Sequence, residues 1–514
     1  MPRTIPTVVR ENAERFADYA ATIDGPRTTS WRELDLASNR VANGLLDLGI
    51  GSGSRVAFVG KNSGQWFEVL FGATKVGAVL VPVNWRLAGP EIEYLLNDSE
   101  STVVFVDAEF IDTIDSIRLR GALPKVGTII AMQPDADDDP YANWLATKAD
   151  GDPQLDSNAN AAAVQLYTSG TTGRPKGALI SHAYLFENFR LMPTVRSQFW
   201  KWEPTDSAIV TAPLFHIGGI NWAFIGAVQG CSLIVMRDFD PKLMMELTNA
   251  HSVPALPLVT PMLQIFLNTP GVEDVDFSNV KHVVYGSAPI PPTLLQRAID
   301  VMGCDFVQMY GATESTIITV LDADDHQLPA VPQMQSVGKP LAEVELAVVD
   351  RDDVAVPTGE IGEIVIKSPV ILSGYWHLPD ATAEAFRGGW FHTGDAGCLD
   401  EAGYVYLKDR VKDTIISGGE NVYPAEVENA LYEHPSVKEV AVVGVPDDRW
   451  GEVPKAYVVI EDGTDFNPND LRAFATERLA KFKVPRDFAA VESLPRNAAG
   501  KVLRRELREP VEAT

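Results

Sequence analysis

The feature that most constrains the fold is a regular alternation of helix-like and strand-like segments near the N-terminus. Apolar residues of 31–48 recur at the spacing of one helix face, and 65–77 also predicts a helix. Short apolar runs at 54–60, 78–84 and 101–107 are typical of buried strands. Strands that alternate with helices form parallel sheets with helices on their faces. This part of the chain therefore predicts an α/β fold.

The last third of the chain has a different pattern. Short stretches of alternating apolar and polar residues with glycine turns, between 345 and 423, favour an antiparallel or mixed sheet. The pattern that follows predicts two helices and two strands, at 424–432, 437–446, 455–460 and 468–480. We therefore predict a large N-terminal domain, 1–410, of parallel-rich sheets covered by helices plus a β-rich subdomain. A small α+β C-terminal domain, 411–514, completes the chain.

Charge and cysteine content limit the partners and the compartment. The 514 residues include 43 Lys and Arg against 70 Asp and Glu, a net charge of −27. Such a chain repels nucleic acid and anionic membranes at long range. Its three cysteines, Cys231, Cys304 and Cys398, are far apart, which argues against a disulfide scaffold or a structural zinc site. We expect a cytoplasmic protein without a nucleic-acid partner.

Two stretches need an interpretation before the motifs. Residues 207–236 carry no charged side chain and are long enough to cross a bilayer, but prolines and glycines interrupt them. We predict a buried helix that runs into a buried strand there, and no transmembrane segment or signal peptide. The acidic stretch 133–160 predicts a solvated loop region.

Residues 167–177, with the sequence YTSGTTGRPKG, carry the densest chemical signal. Three glycines allow the backbone to approach a ligand closely, so that successive N–H groups can point at one anion. Hydroxyls and Lys176 add donors that suit phosphate. The spacing is not that of a P-loop kinase or GTPase, and the alternative is a flexible linker. We predict a strand, a phosphate-binding loop and then a helix.

This string resembles the signature loop of the adenylate-forming enzymes, which include acyl-CoA synthetases, nonribosomal-peptide adenylation domains and beetle luciferases. Further motifs follow in the family's order. They are YGSAP at 285–289, YGATE at 310–314, WFHTGD at 390–395, YLKDR at 406–410, SGGENVYP at 417–424 and PRNAAGK at 495–501. The similarity covers about 6–508 and is greatest to bacterial acyl-CoA synthetases of fatty acids. It implies that the C-terminal domain is mobile.

The resemblance assigns catalytic roles to four residues. Lys501 is the catalytic lysine, and Thr313 holds an oxygen of the carboxylate or of the α-phosphate. Glu314 holds Mg²⁺, a cation that prefers oxygen ligands. His216 is either part of the wall of the carboxylate pocket or a core histidine, and both interpretations stay open.

The resemblance also implies binding roles. Asp395 and Arg410 contact the ribose, and Lys412 is the hinge between the two domains. The residues assigned to ATP are Thr168, Ser169, Gly170, Thr171, Thr172, Lys176, Ser287, Ala288, Tyr310, Gly311, Asp395 and Arg410. The residues assigned to coenzyme A are Ser417, Gly418 and Gly419. Two positions depart from the family's usual pattern, with Ser287 in place of a glycine and Ala498-Ala499 before Gly500.

The implied activity is an ATP-dependent acyl-CoA synthesis with Mg²⁺, ATP and CoA. An apolar carboxylic acid becomes an acyl-AMP with release of pyrophosphate, and the acyl group then passes to CoA. We expect the acid's pocket to be lined by Phe215, Ile217, Ile220, Trp222, Phe224, Leu258, Met262 and Met309. That lining favours a fatty acid. A steroid side-chain acid, an aromatic acid, another acceptor, a nucleotide-binding regulator or a different ATP enzyme are the alternatives, and a homo-oligomer stays open.

Overall fold

The computed structural model describes residues 3–133, 138–168, 174–286, 290–326, 331–417, 420–447, 449–496 and 502–508. The chain divides into two compact units. The first unit contains Met1–Glu345 and Lys367–Arg387, and the second contains Leu346–Ile366 and Gly388–Thr514. The second unit thus includes residues on both sides of 410/411, and the domain boundary there stays a prediction.

Helices and strands are numbered in chain order. The α-helices are α1 Ile5–Arg15, α2 Trp31–Asp47, α3 Gly64–Lys75, α4 Gly89–Asp98, α5 Ile111–Leu119, α6 Pro140–Ala146, α7 His182–Leu191, α8 Ile217–Gln229, α9 Pro241–Ala250, α10 Thr260–Leu267, α11 Pro292–Met302, α12 Pro379–Ala385, α13 Pro424–Tyr432, α14 Pro468–Thr476 and α15 Arg504–Arg508. The strands are β1 Ala20–Asp24, β2 Arg27–Ser30, β3 Arg55–Val59, β4 Val79–Val83, β5 Val103–Asp107, β6 Thr128–Met132, β7 Ala162–Thr168, β8 Lys176–Ser181, β9 Ser207–Val210, β10 Ser232–Val235, β11 Ala255–Pro257, β12 His282–Gly286, β13 Asp305–Ala312, β14 Thr316–Leu321, β15 Lys339–Pro340, β16 Glu345–Val349, β17 Gly362–Lys367, β18 Phe391–Leu399, β19 Val405–Arg410, β20 Ile415–Ser417, β21 Glu420–Val422, β22 Val437–Asp447, β23 Gly451–Ile460 and β24 Asp487–Ala490.

The described residues of the first unit form three sheets, and their pairing confirms the predicted parallel-rich α/β class. One sheet has the order β6-β5-β3-β4-β7-β8 and is parallel except for the antiparallel pair β7/β8. A second has the order β11-β12-β13-β14-β15, parallel up to β13 and antiparallel beyond it. The third, β2-β1-β10-β9, is parallel apart from β1/β2.

Local chemistry explains the first predicted helices. Ser30 accepts a hydrogen bond from the backbone N–H of Glu33, and the Glu33 carboxylate accepts from the N–H of Ser30. This reciprocal cap fixes the start of α2. Helices α2 and α3 approach each other closely at Gly72. A Cβ there would lie 2.5 Å from the Val41 side chain, so the contact requires a glycine. The predicted helix at 31–48 and its neighbours are confirmed.

The uncharged stretch 207–236 folds as predicted. It forms the short strand β9, the helix α8 and the strand β10. Gly230 ends α8 in a left-handed conformation with φ of 83°, which favours glycine. Within the part of the chain that the structure describes, no helix combines the length and the apolar character needed to span a membrane.

The acidic stretch is more ordered than predicted. Residues 134–137 lie outside the described residues, but the helix α6 follows them and buries Tyr141 and Leu145. The buried Asp139 carboxylate accepts from the backbone N–H of Tyr141 and so caps this helix. The prediction of a solvated loop was wrong here, because two apolar side chains among the acidic residues are enough to anchor a short helix.

In the part of the second unit that the structure describes, the strands form two sheets. One has the order β16-β17-β18-β19, with antiparallel pairs β17/β18 and β18/β19. The other has the order β21-β20-β23-β22, with β24 parallel to β23. Helices α13 and α14 pack on this second sheet through Val427, Leu431 and Leu471. The predicted helix–strand–strand–helix pattern is confirmed, although α14 ends at Thr476.

Candidate active site

The glycine-rich segment connects two antiparallel strands. In the β7/β8 hairpin the Cα of Thr168 lies opposite that of Lys176, and residues 169–173 are outside the described residues. The helix α7 begins only at His182. The predicted order of strand, loop and helix was therefore wrong, because 176–181 pairs as a strand on both edges. Its second edge carries the hydrogen bond from the N–H of Leu179 to the carbonyl of Gly374, 2.9 Å.

Thr313 and Glu314 lie at the tip of the hairpin formed by β13 and β14. A Cβ at Gly311 would stand 1.6 Å from the carbonyl oxygen of Thr316, so only glycine fits there. Thr316 itself has a φ of 50°. The Tyr184 hydroxyl, buried in α7, donates to the carbonyl of Thr313 at 2.8 Å. The tip is thus fixed by close backbone packing and by one buried phenol.

The structure brings the two hairpins together around the Glu314 carboxylate. The Thr168 hydroxyl donates to Oε1 of Glu314 at 3.4 Å, and the Tyr375 hydroxyl donates to the same oxygen at 2.9 Å. The Lys176 ammonium lies 5.0 Å from the centre of the Tyr375 ring. Two predicted motifs thus meet, and Tyr375 is a site residue that the sequence interpretation missed. The only available signal was its place in the string SGYW at 373–376.

His216 is the residue just before α8. The residue is exposed, which favours the wall of a pocket over the core, and its role stays a prediction. Partial burial of the ring, with a smaller contribution from the Arg86 guanidinium, lowers the pKa of His216. A Cβ at Gly219 would lie 2.4 Å from the carbonyl of Pro213, so the helix start packs tightly against the preceding turn.

Asn62 holds that turn and was also missed. Its side-chain amide donates to the carbonyls of Ala212 and Met236, each at 3.1 Å. Its oxygen accepts from the N–H of Leu214 at 2.9 Å. Three hydrogen bonds from one nearly buried amide fix the position of the loop that carries His216.

Several residues expected to line the acid's pocket are buried. Ile220, Trp222, Phe224 and Leu258 are all buried. The Trp222 indole donates to the carbonyl of Ile209 at 3.0 Å, so it faces the strand β9. The side of α8 that does reach the β13/β14 hairpin carries Asn221, whose amide donates to the Thr316 hydroxyl at 2.8 Å. Whether these four residues line the acid's pocket stays a prediction, because burial alone does not tell a core face from the wall of a ligand pocket.

In the second unit, Asp395 and Arg410 lie directly opposite each other on β18 and β19. The Arg410 Nε is 2.9 Å from Oδ1 of Asp395, and its Nη1 donates to the carbonyl of Thr393 at 2.8 Å. Gly394, between Thr393 and Asp395, has a φ of 71°, in the region that favours glycine. A carboxylate can accept hydrogen bonds from the two vicinal hydroxyls of a ribose, and a guanidinium beside it can donate to their oxygens.

The other predicted residues divide into two groups. Tyr310 and Gly311 lie on β13, Ser417 ends β20, and Lys412 lies in the turn Val411–Asp413, with its side chain outside the described residues. The residues that lie wholly outside the description are Ser169, Gly170, Thr171, Thr172, Ser287, Ala288, Gly418, Gly419 and Lys501.

A magnesium ion suits the donors around Glu314. Among the described residues no group of three or more His, Cys, Asp and Glu side chains is arranged to hold a metal. Mg²⁺ bound with a nucleotide needs only one or two carboxylates, since phosphate oxygens and waters supply the remaining ligands. Glu314, with the Thr168 hydroxyl beside it, meets that requirement.

Comparison with known proteins decides the family. A model described as AMP-binding enzyme matches residues 9–376, and one described as AMP-binding enzyme C-terminal domain matches residues 426–501. The chain belongs to the AMP-binding enzyme family. It is accordingly an AMP-forming ligase that joins a carboxylic acid to a thiol, and the resemblance stated from the motifs is confirmed.

Three relatives cover almost the whole chain. A fatty acid–[acyl-carrier-protein] ligase, ScoC, of Streptomyces coeruleorubidus is 40% identical over 94% of this chain and 92% of its own length. A feruloyl-CoA synthase of Amycolatopsis is 37% identical over 96% of both chains. The solved fatty acyl CoA synthetase of Mycobacterium tuberculosis has a TM-score of 0.77 and 33% identity, covering 99% of this chain and 98% of its own.

Proposed function

We propose that the protein is an ATP-dependent acyl-CoA synthetase that activates an apolar carboxylic acid, in the first place a fatty acid. The observation that carries the proposal is the meeting of Thr168 and Tyr375 on the Glu314 carboxylate, with Lys176 on the adjoining strand. It places a hydroxyl, a carboxylate and a cation where two hairpins meet. These are the groups that a Mg²⁺-bound polyphosphate requires.

The first half-reaction joins two anions. A carboxylate oxygen of the acid attacks the α-phosphorus of ATP, and the bond to the β-phosphate oxygen breaks, releasing pyrophosphate. Negative charge must be stabilised on the phosphates, and fixed donors do this without reorganisation. Thr168 donates to a phosphate oxygen, Lys176 pairs with the β- and γ-phosphates, and Lys501 with the α-phosphate and carboxylate. Glu314 would hold Mg²⁺, which would supply neutralising charge.

The remaining contacts hold the nucleoside and the acceptor. Asp395 accepts hydrogen bonds from the ribose hydroxyls and Arg410 donates to the same sugar. Lys412 serves as the hinge, and Ser417, Gly418 and Gly419 line the path of the pantetheine. In the second half-reaction the thiol sulfur attacks the acyl carbonyl, the thiol proton is released, and AMP leaves with the oxygen that joined it to the acyl group.

Relatives of two kinds define the alternatives for the acid and the acceptor. The feruloyl-CoA synthase acts on an aromatic acid, and the ScoC ligase passes a fatty acid to a carrier protein. Of the residues predicted to contact the acid, His216 is exposed and Ile217, Met262 and Met309 are partly buried. An apolar lining suits an aromatic ring as well as an alkyl chain, so the identity of the acid has to be determined by experiment.

The test is a panel assay with the purified protein, ATP and Mg²⁺. Octanoate, palmitate, ferulate and a steroid carboxylate are each supplied with CoA or with a phosphopantetheinylated carrier protein, and pyrophosphate, AMP and thioester are measured. The proposal expects pyrophosphate, AMP and a fatty acyl-CoA in equal amounts, all lost in Lys501→Ala. Production of ADP would identify a different ATP enzyme. ATP binding without pyrophosphate for any acid would favour a regulator.

The proposal includes a cytoplasmic location. Cys231, Cys304 and Cys398 are all free thiols in the structure, as expected for a protein of a reducing compartment. Burial raises the pKa of Cys231 and of Cys304, each to about 12, so neither thiol is poised to react.

A further inference from the structure

The helix α4 contacts both strands of the glycine-rich hairpin. The Tyr167 hydroxyl donates to Oδ2 of Asp98, the last residue of α4, at 2.7 Å. The Tyr94 hydroxyl, one turn earlier on the same helix, donates to the carbonyl of Pro175 at 3.1 Å. The two contacts lie next to the two hairpin residues that we assign to ATP.

The direction of the hydrogen bond from Tyr167 is fixed by a second contact. The Gln165 amide nitrogen donates to the Tyr167 hydroxyl oxygen at 3.0 Å, which leaves the hydroxyl hydrogen for Asp98. A Cβ at Gly177 would lie 2.6 Å from that amide nitrogen, so glycine provides the room for it. Burial, and the hydrogen bond to Asp98, raise the pKa of Tyr167. The phenol therefore stays protonated and remains a donor.

The same end of α4 also supports the segment that holds Glu314. The Trp376 indole donates to the carbonyl of Asp98 at 3.0 Å, and its backbone N–H donates to the carbonyl of Gly177 at 2.8 Å. The preceding residue is Tyr375, whose hydroxyl donates to Glu314. Asp98 thus connects the hairpin strands to the carboxylate that would hold Mg²⁺.

The position of Asp98 is unfavourable for helix stability alone. The last turn of a helix exposes carbonyl oxygens and carries partial negative charge, so cations are preferred there. A carboxylate at this position gains nothing from the helix and is oriented instead toward Tyr167. Its placement is explained by the contacts that it makes with the hairpin.

We propose that Asp98 and Tyr94 are positioning residues for the ATP-dependent half-reaction. They keep Thr168, Lys176 and Glu314 in the arrangement that receives the phosphates, and they do not contribute to the transfer of the acyl group to the thiol. The inference rests on the function proposed above. It predicts that a change at α4 separates the two half-reactions.

The experiment compares the half-reactions in Asp98→Ala and in wild type. Acid-dependent pyrophosphate release is measured against ATP concentration, and thioester formation is measured separately with added acyl-AMP and CoA. The KM for ATP should rise about tenfold in Asp98→Ala, as expected for loss of a hydrogen bond to a charged group. Thioester formation from acyl-AMP should stay unchanged. Asp115→Ala, at an exposed position on α5, is the matched control and should equal wild type in both assays.

Tyr167→Phe provides a second variant that removes only the hydroxyl and keeps the packing. It should raise the KM for ATP in the same direction, also without effect on the thiol step. A normal KM for ATP in both variants overturns the inference. So does an equal loss in both half-reactions, which would indicate a general loss of structure. A wild type that releases no pyrophosphate with any acid instead refutes the proposed function, and the inference with it.

Discussion

The segments that carry predicted site residues are supported differently in the two units. In the first unit the β7/β8 hairpin is held by hydroxyl groups around one carboxylate, with the bond from Tyr167 to Asp98 at 2.7 Å. In the second unit the turn Val411–Asp413 is held by ion pairs. Arg508 Nη2 lies 3.0 Å from Oδ1 of Asp413, and Arg504 Nη1 lies 3.9 Å from its Oδ2.

The ion pairs of the second unit converge on Arg504. Its Nη2 donates to both carboxylate oxygens of Glu428, at 2.8 and 2.7 Å, and its Nη1 is 3.8 Å from Asp409. Burial raises the pKa of Glu428 although Arg504 acts against this effect. Removing one hydroxyl costs about 1 kcal/mol. Removing the cation that they share leaves several carboxylates without a positive partner, which lowers the stability by more than the loss of one hydroxyl. We therefore predict that one substitution at the support lowers the stability of the second unit more than that of the first.

The largest effect is expected from Arg504→Gln. The side chain of Arg504 is 19% exposed, so its carboxylate partners would be left largely out of water. We expect the free energy of unfolding of the second unit to fall by about 3–5 kcal/mol, the usual cost of breaking a buried pair. Urea unfolding followed by hydrogen exchange measures this for each unit.

The matched control for that substitution is Arg505→Gln. Arg505 is exposed on the same helix and should change the free energy of unfolding by less than about 0.5 kcal/mol. Equal effects of the two substitutions would contradict the view that Arg504 is the centre of the ion-pair cluster.

A smaller effect is expected at His182, which is buried at the start of α7 in the first unit. Burial lowers the pKa of His182 to about 4, and its Nδ1 accepts from the N–H of Ile5 at 3.2 Å. Because the pKa of His182 is lower in the folded than in the unfolded state, the contribution of the neutral imidazole to stability is present above about pH 6.5. This contribution is lost as the pH falls toward 4. The loss amounts to about 3 kcal/mol.

His182→Gln tests this pH dependence. The variant should be less stable than wild type at pH 7 and should lose less stability between pH 7 and 4. Thermal unfolding of the first unit at a series of pH values gives the slope of stability against pH. His251→Gln is the control, because among the described residues His251 makes no buried contact of that kind. An unchanged slope in His182→Gln would assign the acid sensitivity elsewhere.

The smallest effect is expected from Tyr375→Phe, which removes one hydroxyl from Glu314. We expect kcat/KM for acid-dependent pyrophosphate release to fall about tenfold, the equivalent of one hydrogen bond to a charged group. The melting temperature should hardly change, because the ring remains. Tyr19→Phe, at an exposed tyrosine, is the control. A larger loss than in Asp98→Ala would place the main support of Glu314 at Tyr375 rather than at α4.

Local signals predicted much of the fold. The apolar period of 31–48 predicted α2 from the sequence, and the structure adds the cap formed by Ser30 and Glu33. The hairpin at 167–181 was misread, because KGALIS fits a strand or a helix entry and only its pairing with β7 and Gly374 decides between them. Local pattern predicts the elements, while pairing across the sheet decides their order.

The site was predictable where a motif carries it and unpredictable where a distant contact does. Thr168, Glu314, Asp395 and Arg410 lie in recognisable strings. The residues that support the site segments from far along the chain were not found from the sequence, and these are Asn62, Tyr94, Asp98, Tyr375 and Arg504. Sequence spacing cannot show which of many polar residues meet in space.

The most direct test of the account is the fate of the carboxylate oxygen. The protein is incubated with ATP, Mg²⁺, CoA and palmitate labelled with oxygen-18 in the carboxylate, and the products are analysed by mass spectrometry. Attack of the carboxylate on the α-phosphorus predicts one labelled oxygen in AMP and none in pyrophosphate. Label in inorganic phosphate together with ADP, or AMP without label, would contradict activation through an acyl-adenylate.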